Sequence, residues 1–235
     1  VRLTFASYNI HKGVGLDRRR DPERIVAVLR ELDADVIALQ ECDMRLGTRE
    51  SVLPRALLED HTPWRAAPVA RRAASLGWHG NALLVRKGIE VAEAMPVPLP
   101  MLEPRGAVRA DLVVGRAPLR VVGMHLDISG LRRHHQVRSV VHHVRDCAPV
   151  CPAVLMGDFN DWSRNGRALR EFGSNDPGGW RMVACGASFP ARRPIAPLDR
   201  IVISHEWTVE ACGVHRSALA ARASDHLPVW ARLTL

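Results

Sequence analysis

Lysine is nearly missing from this chain. Lys12 and Lys87 are the only two among 33 basic residues, so the formal net charge of +8 is carried by arginine. Guanidinium forks match phosphate oxygens two at a time, and the excess favours an anionic partner: nucleic acid, a phospholipid surface or a phosphorylated metabolite. The arginines are spread along the chain with no long basic block, which equally suits a composition that simply prefers arginine. Cysteine is sparse and odd in number. Cys42, Cys147, Cys151, Cys185 and Cys212 are scattered, and Cys147 with Cys151 is too isolated for a zinc site. All five are expected to be reduced thiols, mostly in the core. No apolar run approaches a membrane span, which excludes stable membrane insertion through a helix. The opening VRLTFASYNI lacks the basic, apolar and small-residue order of a secretory leader, and a cytoplasmic protein is expected. Internal repeats, low-complexity segments and linkers are missing too, so residues 1–235 are expected to form one domain.

One stretch stands out against these absences. Leu155–Trp162 reads LMGDFNDW. An apolar run from Ala153 to Met156 stops at Gly157 and opens into Asp158-Phe159-Asn160-Asp161. Strand alternation would put Asp158 and Asn160 on one face. The carboxylate can bind a cation or accept a proton, and the carboxamide can donate to an anionic oxygen. Gly157 lets the backbone turn or a ligand come close. Alone, the stretch reads as a strand followed by an Asx turn. Other segments of the same kind change that reading.

Arg2–Ile10 alternates as a first strand and runs into a loop at His11. Asp21-Pro22-Glu23 opens a helix, with Asp21 as N-cap and Pro22 in the first turn. Its inward face is Ile25, Val26, Val28, Leu29 and Leu32. Asp35–Gln40 is a strand buried on both faces, ending at Glu41. A short helix is expected around Leu53–Leu58. Strands follow over His79–Arg86, Ile89–Met95, Gly106–Val114 and Leu119–Met124, with Pro96–Pro104 a proline-rich loop. Leu131–Cys147 is a long basic helix with Val137, Val140, Val141 and Val144 inward. Its His134, His135, His142 and His143 are expected on a solvated basic face. A short helix over Gly166–Phe172 precedes the last strands, Leu198–Ser204, Trp207–Val214 and Leu227–Leu235. This rhythm is that of an α/β domain with much antiparallel sheet.

Polar residues gather where the chain leaves apolar runs: Asn9, Glu41, His125, Asp158 with Asn160, and Asp225 with His226. Asp199 stands at the start of the strand DRIVI. Glu41, Asp225 and the carboxamide of Asn9 are hard oxygen donors that suit Mg²⁺ or Mn²⁺ better than zinc. A cation there would neutralise charge building on a phosphate. His226 with Asp199 can form a histidine held by a carboxylate, which fixes the tautomer.

Seven segments in order, SYNIHKG, ALQECD, GNALLVR, GMHLD, LMGDFND, PLDRIVIS and SDHLPV, resemble the endonuclease/exonuclease/phosphatase superfamily over nearly the whole chain. GDFN together with SDHLP is the most specific pair. The resemblance implies a four-layered α-β-β-α sandwich: two packed, mixed, mostly antiparallel sheets with helices outside and the site at one rim. It implies Glu41 as main metal ligand, helped by Asn9 and Asp225. It puts Asp158 and Asn160 on the scissile phosphate and its nucleophile, or on a second metal. Asp199 would orient His226, His226 would activate water or bind a phosphate oxygen, and His125 would sit on the leaving-group or phosphate side. Arg105, in EPRGA, and Asn81, in GNALLVR, are the candidates for holding the substrate phosphate.

The histidine of GMHLD departs from the abasic-site endonucleases and is closer to deoxyribonuclease I, the sphingomyelinases and the 5-phosphatases. The expected activity is an Mg²⁺-dependent phosphodiester hydrolase, with a nuclease favoured by the basic charge. A phospholipid or small-molecule phosphodiesterase or phosphatase is the alternative, with Trp64, Trp78 and the Pro96–Pro104 loop as its apolar contacts. A binding scaffold that has lost catalysis is the third.

Overall fold

The computed structural model describes residues 1–44, 47–70, 72–100, 105–163, 166–172 and 179–235. Among these, twelve strands form two sheets of six. They are β1 (Arg2–Asn9), β2 (Val36–Gln40), β3 (Trp64–Ala66), β4 (Ala82–Arg86), β5 (Glu90–Val97), β6 (Gly106–Val114), β7 (Ala117–His125), β8 (Ala153–Asp158), β9 (Arg181–Val183), β10 (Asp199–Ile203), β11 (Thr208–Val214) and β12 (Val229–Thr234). The helices are α1 (Pro22–Leu32), α2 (Arg55–His61), α3 (Gly130–Asp146) and α4 (Ala220–Ala223).

The first sheet runs β11-β12-β1-β2-β4-β3 and the second β5-β6-β7-β8-β10-β9. Only β1–β2 and β7–β8 pair in parallel; the other pairings are antiparallel. Parallel neighbours need a crossover, and the two long helices supply it: α1 joins β1 to β2, and α3 joins β7 to β8. Asp21 caps α1 as expected, its Oδ1 accepting from the Arg24 amide at 3.0 Å.

Strand alternation sorts the side chains into three apolar layers. Leu3, Phe5, Val36, Ala38, Val121, Val154, Met156, Ile201 and Ile203 fill the space between the sheets. Ala6, Tyr8, Ile37 and Leu39 face the other way, onto Ile25, Val28 and Leu29 of α1. Val122, Leu155 and Val202 face outward onto Val137, Val140 and Val141 of α3. Helix, sheet, sheet and helix are therefore stacked in that order, the expected four-layered sandwich.

The same alternation builds the polar rim. The inward row of β1 (Leu3, Phe5, Ser7) continues to Asn9, that of β7 (Leu119, Val121, Gly123) to His125, and that of β8 (Val154, Met156) to Asp158. On β10, which runs antiparallel to β8, the inward row ends at Asp199. Register then lines these ends up: His125 pairs with Asp158, and Asp158 with Asp199. Gly157 is needed one step back, because a Cβ there would lie 1.9 Å from the Met124 carbonyl oxygen on β7.

Several expectations need correction. Trp64 is not an exposed contact: it is fully buried, and its indole donates to the Ala34 carbonyl at 2.8 Å. Strand β5 extends through Pro96 to Val97, and Met101–Pro104 lie outside the described residues. The alternation across Asp158 stops at the strand end, since Asn160 has φ +50. Gly166–Phe172 holds only a 3-10 turn at Leu169–Phe172. Of the five cysteines, Cys42 alone is buried, and the other four are half-buried. The α3 histidines split by environment. His135 and His142 are exposed, but His134 is buried with Nε2 2.7 Å from Glu171, and His143 is half-buried beside Arg109 and Cys147.

Candidate active site

Asp158 is the hub of the rim. Its Oδ2 accepts from the Asn9 amide at 3.0 Å and lies 3.3 Å from His125 Nε2 and 3.8 Å from His226 Nε2. Its Oδ1 accepts from the Asn160 backbone amide at 2.9 Å, which closes an Asx turn. The Asn160 carboxamide donates to the Leu126 carbonyl at 2.8 Å, tying the loop after β8 to the loop after β7.

His226 is fixed from its other side. Its Nδ1 is 2.8 Å from Asp199 Oδ2, and both residues are buried. Ser188, which the sequence did not single out, donates from Oγ to the same carboxylate oxygen at 2.6 Å and accepts from the Asp199 amide at 3.2 Å. Phe189 packs its ring 4.7 Å from the imidazole. The second Asp199 oxygen, Oδ1, is buried without a partner among the described residues.

Charge states follow from this packing. Burial opposes ionisation of Asp158, yet its bond to His125 and the charges of His125 and His226 pull its pKa far below the carboxylate range. Burial likewise opposes protonation of His226, but the Asp199 and Asp158 carboxylates overcome it and raise its pKa. At Asp199 burial prevails over His226 and the pKa is raised. Two flanking carboxylates outweigh one burial penalty, so the shared proton stays on the imidazole.

The expected metal ligands lie on the same rim in separate settings. Asn9 Oδ1 accepts from the His11 amide at 3.1 Å. Asp225 Oδ1 accepts from Ser224 at 3.3 Å, and Ser224 also donates to the Asn9 carbonyl at 2.8 Å. Glu41 follows β2 with φ +55, and its carboxylate meets the Lys12 ammonium. Burial raises the Glu41 pKa, but His125 and Lys12 outweigh it, and the group is held below its ordinary value. Non-glycine residues in left-handed backbone are uncommon. His11, Lys12, Glu41, His79 and Asn160 all adopt it around this rim. Among the described histidines, cysteines and acids, one trio brings its ligand atoms within 4.8 Å of one another: Asp158, Asp199 and His226. That trio differs from the expected Asn9, Glu41 and Asp225, and its His226–Asp199 bond is already made.

Asn81 and Arg105 are both buried. The Asn81 amide reaches the Trp78 and His79 carbonyls at 3.4 Å each, and its Oδ1 has no partner among the described residues. Arg105 Nη1 contacts both ring nitrogens of His125, at 2.9 Å from Nδ1.

Two mixed sheets packed face to face under flanking helices, with a histidine–carboxylate cluster at one rim, define the deoxyribonuclease I-like class of phosphoric ester hydrolases. The chain belongs to the endonuclease/exonuclease/phosphatase family, which it matches over residues 6–226. It is 30% identical to the uncharacterized protein YbhP of Escherichia coli strain K12, across 97% of this chain and 94% of that protein. Its fold is similar to the Danio rerio TDP2 structure complexed with a single-strand DNA product, with TM-score 0.76 and 15% identity over 100% of this chain and 99% of the other. It is similar as well to a mannosyl-6-phosphatase of Bacteroides thetaiotaomicron, with TM-score 0.72 and 21% identity over 99% of this chain and 100% of the other. No helix among the described residues is long and apolar enough to cross a membrane.

Proposed function

We propose that this chain, as one domain over residues 1–235, is an Mg²⁺-dependent or Mn²⁺-dependent phosphodiesterase that cleaves nucleic acid. The observation that carries the reading is the two-sided grip on His226. Nδ1 is bonded to Asp199 at 2.8 Å, which leaves Nε2 facing Asp158 Oδ2 at 3.8 Å. One oxygen can bond to both groups across that distance.

Glu41, Asn9 and Asp225 would hold the cation. The donor set fits: two carboxylates and a carboxamide are hard oxygens, Glu41 is kept ionised, and its carboxylate already takes the Lys12 ammonium as a cation. When bound, the metal neutralises charge building on the phosphate and the leaving oxygen. The rest of the chemistry belongs to side chains. Ionised Asp158 and Asn160 orient the attacking water. Protonated His226, held by Asp199, binds a phosphate oxygen on the same side. His125 and Arg105 serve the phosphate and its leaving group, and Asn81 supports them. Water attacks phosphorus in line as the Asp158 carboxylate takes its proton, the opposite oxygen leaves on the His125 side and is protonated from solvent, and no covalent enzyme intermediate forms.

The test is a turnover panel of single-stranded DNA, duplex DNA, RNA, anionic phospholipid vesicles and an aryl phosphodiester, each with Mg²⁺ and with chelator. Nucleic-acid cleavage that needs the metal supports the reading. A lipid reading is favoured by one observation. Ile128, Leu131, Trp162 and Ile195 are 67%, 61%, 61% and 68% exposed. The segments that carry them adjoin the site: Arg133 bridges the Ile128 carbonyl at 3.0 Å and Asp161 at 3.5 Å, and Phe189, beside His226, packs on Trp162. Cleavage of vesicles alone would select that reading, and a blank panel would select an inactive scaffold.

A further inference from the structure

Beside His125 and Glu41 lies a small cavity of about 30 Å³. Lys12, Arg49 and His79 line it, with Glu41, Arg105 and His125 shared with the candidate site. Lys12 is paired with Glu41, but the two guanidiniums are not neutralised in the ordinary way. Arg49 Nη1 is bonded to His79 Nδ1 at 3.0 Å, a neutral acceptor in that bond, and Arg105 Nη1 to His125. Among the described residues neither guanidinium is paired with a carboxylate, and the Arg105 Nε is buried with no partner. Asp43 also borders the cavity, with its carboxylate held by the Ser75 hydroxyl at 2.6 Å and the Leu76 amide at 3.0 Å. Arg49 and His79 are both held in left-handed backbone, at φ +52 and +49. Such strain persists only where the surroundings impose it, and it gathers at ligand sites.

Two guanidiniums without a carboxylate partner, Arg49 and the shared Arg105, around a space this small call for a compact oxyanion. A volume of about 30 Å³ leaves room for one compact group such as a phosphoryl and none for its sugar. We propose that this cavity is a second phosphate subsite, which holds a terminal phosphomonoester on the substrate while the neighbouring phosphodiester is cleaved. The enzyme would then act at phosphorylated ends of short oligonucleotides. This rests on the phosphodiesterase reading above.

The experiment uses dithymidine monophosphate bearing a 5′-phosphate, a 3′-phosphate or neither, with bis-p-nitrophenyl phosphate as a substrate that cannot fill the subsite. Arg49→Asn removes the cation and tolerates the left-handed backbone; Arg49→Lys keeps the charge. Wild type is expected to favour one phosphorylated dinucleotide by about tenfold or more in kcat/KM. Arg49→Asn should abolish that preference and leave bis-p-nitrophenyl phosphate turnover within about twofold, while Arg49→Lys keeps part of it. Equal turnover of all three dinucleotides by wild type would overturn the proposal. So would an equal loss on every substrate in Arg49→Asn, which would put the scissile phosphate in the cavity. Calorimetry with thymidine 5′-monophosphate and inorganic phosphate separates the proposal from the phosphodiesterase reading. If no diester is turned over, binding that Arg49→Asn weakens tenfold still supports the subsite, and binding it leaves unchanged overturns it.

Discussion

Asp199 holds His226 by a 2.8 Å contact between a carboxylate oxygen and Nδ1, across 27 residues of sequence. The bond fixes which imidazole nitrogen faces Asp158. Asp199→Asn keeps the shape and loses the charge that keeps the proton on the ring. Turnover is expected to fall by about a hundredfold or more with KM little changed. Steady-state kinetics beside a thermal melt checks this; an Asp199→Asn enzyme with wild-type kcat would remove the pair from the chemistry.

Ser188 is a positioning residue for that pair. Its hydroxyl donates to the same Asp199 oxygen that meets His226. Ser188→Ala should lower kcat by roughly tenfold and destabilise the fold by about 1–3 kcal/mol, because it removes a buried bond to a charged group. It should also move the pH–rate profile, which a purely structural role would leave in place. Ser188→Thr is expected to recover part of both losses.

Much of this site was legible because strand alternation and strand ends can be read from a single chain. Asn9, His125, Asp158 and Asp199 each end an apolar row, and the sheets carry those rows to one rim. Ser188 was not legible. It lies on a loop without periodicity, and its role depends on pairing with a residue eleven positions away. Trp64 was misread as exposed, since a short edge strand between irregular segments carries too few residues to show which side faces inward. Asn160 departed from the alternation because an Asx turn intervenes, a local hydrogen bond that competes with the strand.

Glu41 sits at φ +55, where a branched or long side chain is disfavoured. Asparagine tolerates that backbone better. Glu41→Asn is therefore expected to change the denaturation midpoint little, relief of the backbone strain offsetting the lost Lys12 ion pair, while metal-dependent turnover falls by about a hundredfold or more. Mg²⁺ should raise the melting temperature of wild type and not of the variant. A variant that is destabilised and fully active would contradict both halves.

Stability should vary with pH in a defined direction in chelator-treated protein. The folded pKa of His226 is pushed up from 6.5 to about 10. Its contribution is fully present below 6.5 and is lost as pH rises through about 10. Asp158 and Glu41 are depressed, so their contributions are present above 3.8 and 4.5 and are lost as pH falls further. Urea midpoints taken between pH 6.5 and 9.5, about where His226 changes charge, should fall in wild type and fall less in His226→Gln. Equal slopes would show that the imidazole is not held protonated.

The most direct test of the whole account is hydrolysis of a phosphodiester by wild type and His226→Ala, with Mg²⁺ and with chelator, on the panel of nucleic acids, vesicles and aryl diester. The account predicts metal-dependent cleavage of a nucleic acid that falls by about a hundredfold or more in the variant. Turnover that survives both the chelator and the substitution, or a folded wild type inert on every substrate, would contradict it.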